Sequence, residues 1–192
     1  GYATHEVLNQ PPPLADYDAY ATDPALKAAV NAFDAAWAEE KFSACGRTVG
    51  SAEVQELARQ ANRNLPELRT HDRFGNRVDR IDFHPAWHML MKLAIGQEAH
   101  SLAWTAKREG AQVARAGVAY LWNQAENGVC CPISMTYAAV PVLRQDKAIA
   151  AEWEPRILSN RYDGRQMRAA DKTGATVGMA MTEKQGGSDL RQ

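Results

Sequence analysis

The side chains of residues 177–189 are of types, and follow an order, that could bind a ligand. An apolar run at residues 175–181 has strand character and gives way to polar residues and then to a Gly-Gly pair at 186–187. Adjacent glycines permit positive φ and leave peptide N–H groups open, while the Thr182 and Ser188 hydroxyls add directional donors. The stretch therefore predicts a strand ending in an open turn, which suits an anionic or heteroaromatic ligand.

The same residue types also build ordinary turns. Gly, Ser and Asp after a strand are typical of hairpin and loop connections. The chain contains neither G-x-G-x-x-G nor Gly-Lys-Ser/Thr. A dinucleotide-binding fingerprint and a P-loop are therefore excluded, and the ligand class stays open on the residues of the turn alone.

The order Met-Thr-Glu-Lys-Gln-Gly-Gly-Ser-Asp at residues 181–189 resembles the Thr-Glu-Pro-x-x-Gly-Ser-Asp signature of the acyl-CoA dehydrogenase flavoproteins. It is more similar still to their AidB branch, the alkylation-response flavoproteins. Residues 7–11, 83–88 and 131–136 also resemble that branch, in the same order along the chain. Lys184 stands where the wider family has proline, which matches the AidB branch and weakens any transfer of ordinary fatty-acyl-CoA turnover.

The resemblance implies a mainly α fold, in which an acyl-CoA dehydrogenase-type N-terminal helical domain is followed by the first strand of a β-domain. We expect an extended arm at residues 1–22, the helical domain at 23–160, and a linker with the start of the β-domain at 161–192. The proline-rich arm is either a loose terminus or a segment packed across a neighbouring subunit. A strand so near Gln192 would lack partners, so we expect a fragment of a longer α+β protein.

The same resemblance implies FAD as the cofactor. Backbone N–H groups and a threonine hydroxyl at a strand end suit the charge that develops on a reduced flavin ring. We expect Thr182 to bond the ring, Gly187 and Ser188 to receive the pyrophosphate, and Glu183 to brace the loop. The residues that the resemblance places against FAD are Met179, Met181, Thr182, Gln185, Gly187 and Ser188.

The activity implied is that of an oxidoreductase acting on CH–CH groups of an acyl-CoA or another small hydrophobic substrate, in a homotetramer. The catalytic base of the family lies beyond Gln192, so we expect no catalytic residue in this chain and weak FAD binding, or none, by the chain alone. The alternative is an AidB-like flavoprotein that associates with DNA through a C-terminal region and has weak dehydrogenase activity. A helical interaction module without a ligand is a third hypothesis, which leaves the ordered resemblance unexplained.

Composition sets further bounds. At 192 residues and 45% hydrophobic, the chain can bury a sizeable core. Its 22 basic and 23 acidic residues give a net charge of -1, so it lacks a basic field for nucleic acid. It shows no signal-peptide pattern and no apolar run near the roughly 20 residues that span a bilayer. With three cysteines that form no metal-binding pattern, we expect reduced thiols, no metal site and a cytoplasmic protein.

Helix-start signals divide the first half of the chain. Asp23 before a proline predicts a helix that Gly46 closes, and Ser51 predicts a second helix that Pro66 ends. Turn residues at 73–77, flanked by β-branched and aromatic positions, predict a short hairpin.

Amphipathic or capped helices are also expected at three places after this hairpin. His84-Pro85 starts one that runs towards His100, and residues 111–127 form another with Gly128 as its C-cap. Small residues on the 111–127 helix should let a neighbouring helix approach closely. Residues 147–158 predict the last amphipathic helix before the linker.

Residues 130–140 form an almost wholly apolar segment, which predicts burial, with Pro141 kinking or ending it. The segment is either a core helix or a helix whose Ser134, Met135 and Thr136 face an acyl or flavin cavity.

Histidine and cysteine side chains outside the turn do not predict catalysis. His84, His88 and His100 lack a metal-site order, so we expect structural roles for them. Cys131 has no recognisable His-acid pair beside it and is not expected to be a nucleophile.

Overall fold

The computed structural model of the chain describes residues 4–180, 182, 184–187 and 189. These residues form eight α-helices, one antiparallel hairpin and two 3-10 turns, which confirms the expected mainly helical fold. The helices are α1 (Pro24–Ala32), α2 (Glu39–Val49), α3 (Ala52–Arg63), α4 (Pro85–Gly96), α5 (Leu102–Thr105), α6 (Ala111–Asn123), α7 (Asn127–Leu143) and α8 (Lys147–Ile157). The hairpin between α3 and α4 consists of β1 (Glu67–His71) and β2 (Arg77–Asp82), and the 3-10 turns are Ala36–Ala38 and Ala169–Asp171.

Three predicted helix starts are confirmed by side-chain caps. The Asp23 carboxylate accepts a hydrogen bond from the Leu26 amide at 2.8 Å, and the Ser51 hydroxyl accepts one from the Val54 amide at 3.2 Å. His84 Nδ1 accepts the amide hydrogen two residues on, at 3.2 Å. Each cap satisfies a backbone donor that the first turn of a helix leaves unpaired.

The core lies where α2, α4, α6 and α7 pack together. Its largest fully buried side chains are Tyr20, Phe42, Leu90, Met91, Leu121 and Trp122. Gly117 of α6 faces Phe42 of α2, and a Cβ at Gly117 would lie 2.7 Å from Phe42 Cε1. The expected close approach to α6 is therefore confirmed at Gly117, because any larger residue would overlap the buried ring.

Gly46 does not close the first helix, so that prediction is wrong. The helix α1 ends at Ala32, Asp34 then adopts a φ of +58°, and Gly46 lies inside α2. A Cβ at Gly46 would lie 2.3 Å from Asp18 Oδ1 and 2.6 Å from Tyr20 N. Glycine is needed there because the segment before α1 crosses α2 at close range, a contact that helical spacing does not reveal.

The helix predicted over residues 111–127 is interrupted. The helix α6 ends at Asn123, and α7 begins after Glu126, whose carboxylate accepts a hydrogen bond from the Val129 amide at 2.8 Å. Gly128 is therefore in the first turn of α7 and is not a C-cap. Glu126 thus caps a new helix, α7, at the point where α6 was predicted to continue. The helix α4 likewise stops at Gly96, short of His100.

Pro141 does not end α7, which continues to Leu143. A proline inside a helix removes the N–H that would bond the carbonyl four residues earlier. For Pro141 that carbonyl belongs to Tyr137, and it accepts the Trp104 indole N–H at 3.0 Å. The two aromatic rings also stack, with centroids 5.2 Å apart. Trp104 from α5 thus replaces the hydrogen bond that the proline removes.

Residues 174–180 form no strand, although a strand was predicted over 175–181. Residue 181 itself lies outside the described residues. The Ala175 amide donates to the Arg156 carbonyl at 3.2 Å, and the Val177 amide donates to Thr136 Oγ1 at 3.0 Å. A strand requires a ladder with another strand. These described contacts run instead to the ends and side chains of helices.

His100 joins the connection after α4 to the end of α8. Its side chain is 2% exposed, and Nε2 donates to the Ser159 carbonyl at 3.1 Å. Burial lowers the pKa of His100 to about 4, because the charged imidazolium would lose its hydration. The folded structure therefore favours the neutral form of the His100 ring.

We expect Gly117→Ala to lower the free energy of unfolding by about 1–2 kcal/mol, since the overlap with the fixed Phe42 ring outweighs the gain in helix propensity. The matched control is Gly96→Ala, where a Cβ would have no neighbour within 4 Å. That variant should be neutral or more stable by up to about 1 kcal/mol. Urea unfolding followed by circular dichroism measures both, and equal effects at the two sites would contradict the packing account.

Acidification should destabilise the fold through His100. The ring takes up a proton near pH 6.5 when unfolded but only near pH 4 when folded, so stability is lost as the pH falls between these values. Between about pH 7.5 and about pH 5 we expect protonation of His100 to lower the free energy of unfolding by about 2 kcal/mol. His100→Gln keeps a donor for the Ser159 carbonyl and does not titrate. The same pH dependence of urea unfolding in both proteins would disprove the assignment.

Candidate functional site

The residues predicted to contact FAD lie on one segment beyond α8, which we call the motif segment (residues 174–189). Met179 is 49% exposed, Thr182 and Gln185 are exposed, and Gly187 is half-buried with a φ of +56°. The positive φ at Gly187 is the backbone conformation for which the glycine pair was singled out. Met181 and Ser188 lie outside the described residues. Contact of these six positions with FAD remains a prediction.

Thr136 of α7 connects the motif segment to the helical core. Its hydroxyl donates to the Pro132 carbonyl at 2.8 Å and accepts the Val177 amide hydrogen at 3.0 Å, while its side chain is 1% exposed. Of the three α7 residues considered for a cavity wall, Ser134 is exposed and Met135 is half-buried. Thr136 therefore positions the backbone just before Met179, and Ser134 lies on the outer surface of α7.

A second anchor lies at the start of the motif segment. A Cβ at Gly174 would lie 2.0 Å from the Arg161 carbonyl oxygen, so only glycine allows the two backbones to touch. The next residue, Ala175, donates its amide hydrogen to the Arg156 carbonyl. Together with Thr136, these contacts set the place and direction in which the segment leaves the helices.

A cavity of about 540 Å³ opens between α3, the base of the hairpin, α4, α7 and the motif segment. Its apolar walls are Leu65, Pro66, Phe83, Trp87, Cys131 and Pro132. Thr176 of the motif segment closes one side. A volume of this size falls in the range of small-molecule sites, and the lining suits an apolar ligand.

Glu126 places a buried carboxylate at the wall of this cavity. The residue is 6% exposed, and its oxygens accept hydrogen bonds from the Val129 amide at 2.8 Å and Asn62 Nδ2 at 3.1 Å. The N-terminus of α7 stabilises a negative charge at this position. Glu126 is not among the residues predicted from the sequence. Its signal would have been an acidic residue before Asn-Gly, at the point where the helical pattern restarts.

The Phe83 and Trp87 rings separate this cavity from a second one. They stack with centroids 4.0 Å apart and an interplanar angle of 19°. Both rings, and Thr176, line the first cavity and also a cleft of about 330 Å³ that contains Arg165 and Lys172. The stretch at 83–88 was recognised in the sequence, but its aromatic pair was not assigned a wall role.

His88 and Tyr162 form a hydrogen-bonded pair in the second cleft, with Nδ1 and Oη 2.7 Å apart. Burial lowers the pKa of His88 and raises the pKa of Tyr162 to about 12. The phenol therefore donates to a neutral imidazole. Gly164 lies against the pair, since a Cβ there would be 2.9 Å from His88 Nδ1. The pair holds the linker after α8 onto α4.

His84, Cys45 and Cys130 have structural surroundings. His84 caps α4, and burial raises the pKa of Cys45 to about 12 and that of Cys130 to about 11, which keeps both as thiols. Among residues 4–180 and the described positions after them, three His, Cys, Asp or Glu side chains nowhere converge as a metal site. The described helices also include none that is long and apolar enough to cross a membrane.

Comparison with known proteins places the chain among relatives of greater length. The putative acyl-CoA dehydrogenase AidB of Escherichia coli (strain K12) is 45% identical over 191 residues, which cover 98% of this chain and 35% of that protein. Acyl-CoA dehydrogenase family member 11 of Caenorhabditis elegans is 30% identical over 146 residues, covering 73% and 22% respectively. The chain therefore spans about a third of the first relative and less of the second.

Solved structures share the fold. Caenorhabditis elegans ACDH-11, determined in complex with C11-CoA, has a TM-score of 0.79 at 23% identity, covering 98% of this chain and 32% of that one. Bd2924 in its apo form has a TM-score of 0.79 at 24% identity, covering 92% and 34%. The adaptive response protein AidB N-terminal domain model matches residues 9–164, and the chain belongs to that family of acyl-CoA dehydrogenase relatives.

Proposed function

We propose that the chain is the helical part of an FAD-dependent, acyl-CoA dehydrogenase-like oxidoreductase. The observation that carries this proposal is the anchoring of the motif segment on α7. Thr136 binds the Val177 amide, and from there the backbone continues exposed through Met179 towards the Gly-Gly turn. The 45% identity to Escherichia coli AidB over 98% of the chain supports the same assignment.

The described residues of the motif segment fit one side of a flavin site. Met179 and Thr182 are exposed, and Gly187 has the positive φ that opens its backbone to a ligand. When bound, FAD would supply the hydride-accepting ring for oxidation of an acyl thioester. This chain would hold the ring edge and orient it through Thr136, and Ser188 would add a donor for the pyrophosphate.

An acyl-CoA is the proposed substrate class. The relative ACDH-11 is described in complex with C11-CoA. In this chain the cavity beside α7 has the apolar walls that an acyl chain requires, and Thr176 places it next to the motif segment. We assign no catalytic base to the described residues.

The second candidate is an AidB-like flavoprotein that associates with DNA and has weak dehydrogenase activity. The match to the AidB N-terminal domain over residues 9–164 favours this branch. The net charge of -1 supplies no long-range attraction for the DNA backbone. This candidate therefore assigns DNA contact to another region of the whole protein.

Flavin spectroscopy tests the first proposal. The whole protein that contains this chain should purify with FAD, and anaerobic addition of acyl-CoA should bleach the flavin absorbance because the ring is reduced. The 192-residue chain alone should be nearly colourless, since it supplies only part of the site. Absence of bleaching with every acyl chain length would refute the dehydrogenase assignment. Tight, stoichiometric FAD binding by the 192-residue chain alone would refute the claim that it supplies only part of the FAD site.

Thr136→Val in the whole protein should weaken FAD retention by about tenfold, because the Val177 amide loses its acceptor and the motif segment loses its anchor. Thr136→Ser keeps the hydroxyl and serves as the matched control. Equilibrium dialysis against FAD measures retention, while thermal unfolding reports any general loss of stability. Equal FAD affinity in both variants would count against the role of Thr136.

A further inference from the structure

The hairpin leaves one strand edge open. All residues of β1 are exposed, and Leu68 is 66% exposed. On the other side, the Gln166 side chain covers the edge of β2: its Oε1 accepts the Ile81 amide hydrogen at 3.3 Å and its Nε2 donates to the Ile81 carbonyl. An uncovered edge is a template for pairing with another strand. Within the described residues, β1 presents such an edge.

The ladder shows which backbone groups point outward from β1. Leu68 lies directly opposite Ile81. Since the amide and carbonyl of Ile81 both bond Gln166 outside the sheet, the Leu68–Ile81 pair is a non-hydrogen-bonded pair. The amide and carbonyl of Leu68 must therefore also face away from the hairpin, at the open edge.

The charges on β1 favour one partner and one register. We propose that β1 pairs antiparallel with β1 of a second copy of this chain, about a twofold axis at Leu68. That register places Glu67 of each copy opposite Arg69 of the other, and the two Leu68 side chains opposite each other. A register centred on Arg69 would oppose two arginines and is disfavoured.

The isolated hairpin leaves its charges poorly arranged for a monomer. Glu67 lies opposite Asp82, and Arg69 lies opposite Arg80, so like charges face each other on one side of the sheet. Asp82 forms ion pairs with both arginines. Among the described residues, Glu67 has no basic partner within ion-pair distance, and pairing with a second copy would supply one.

The hairpin is also rigid enough to act as a template. The Asp72 carboxylate accepts hydrogen bonds from the Phe74 amide at 2.8 Å and the Asn76 amide at 2.9 Å, and Gly75 adopts a φ of +84°. A fixed turn reduces the conformational entropy lost on association. In the dimer, Leu68 and Ile81 of both copies would form one apolar strip across a four-stranded sheet.

Sedimentation velocity on the 192-residue chain tests this pairing by a charge exchange. Glu67→Arg and Arg69→Glu should each weaken the dimer at least about tenfold, because each places like charges opposite each other twice. The double exchange restores complementarity between copies and should return the dissociation constant to within about threefold of the original. Within its own hairpin, each new charge faces an opposite one, at Asp82 or Arg80, so folding is preserved.

Leu68→Pro provides a second test, since the backbone N–H that it removes faces outward and forms no bond within the hairpin. It should abolish the dimer while circular dichroism stays unchanged, and Leu68→Val should retain the dimer. Hydrogen exchange at the Leu68 amide should slow as the dimer forms, because this amide faces the open edge. A chain that remains monomeric up to about 100 μM would overturn the proposal. A dimer whose dissociation constant is unchanged by both single charge variants would also overturn it.

Discussion

Side chains of one element satisfy backbone carbonyls that another element leaves free, and the arrangement of the helices depends on these bonds. The Trp104 indole bonds the Tyr137 carbonyl beside Pro141, and His100 bonds the Ser159 carbonyl at the end of α8. Arg115 Nε donates to the Ala99 carbonyl in the connection before α5. A buried carbonyl without a donor costs free energy. Each of these contacts therefore stabilises one backbone geometry at a place where regular helical hydrogen bonding stops.

Thr136 applies the same chemistry at the candidate site. Its hydroxyl bonds a carbonyl of its own helix and also accepts an amide hydrogen from the motif segment. A hydroxyl can donate and accept at once, which an apolar core residue cannot do. The motif segment is thus held by the same helix, α7, whose Cys131 and Pro132 line the apolar cavity, so the proposed cofactor segment and the cavity share one support.

The exposed features of the molecule have different physical characters. The cavity beside α7 combines stacked aromatic walls with a buried, hydrogen-bonded Glu126. The hairpin instead exposes backbone groups and alternating charges. Apolar concave surface suits a small ligand, and an open strand edge suits another strand. The proposed ligand site and the proposed contact between copies therefore lie on separate elements.

The sequence alone determined the family, the helical class and several of the helix starts, because capping residues and prolines act within a few residues of their own position. Asp23, Ser51 and His84 show this directly. It also identified the motif segment, including the glycine that adopts positive φ. These signals are local, so the sequence carries them without reference to the fold.

Tertiary structure decided where helices end and what their glycines and prolines do. Gly46 lies within α2 because another segment crosses it, Gly128 lies within α7 because Glu126 forms a new cap, and Pro141 is tolerated because Trp104 bonds the carbonyl it leaves free. Residues 174–180 form no strand, and the Ala175 and Val177 amides bond helical residues instead. Each outcome depends on a partner distant in sequence, and for this reason local pattern could not determine it.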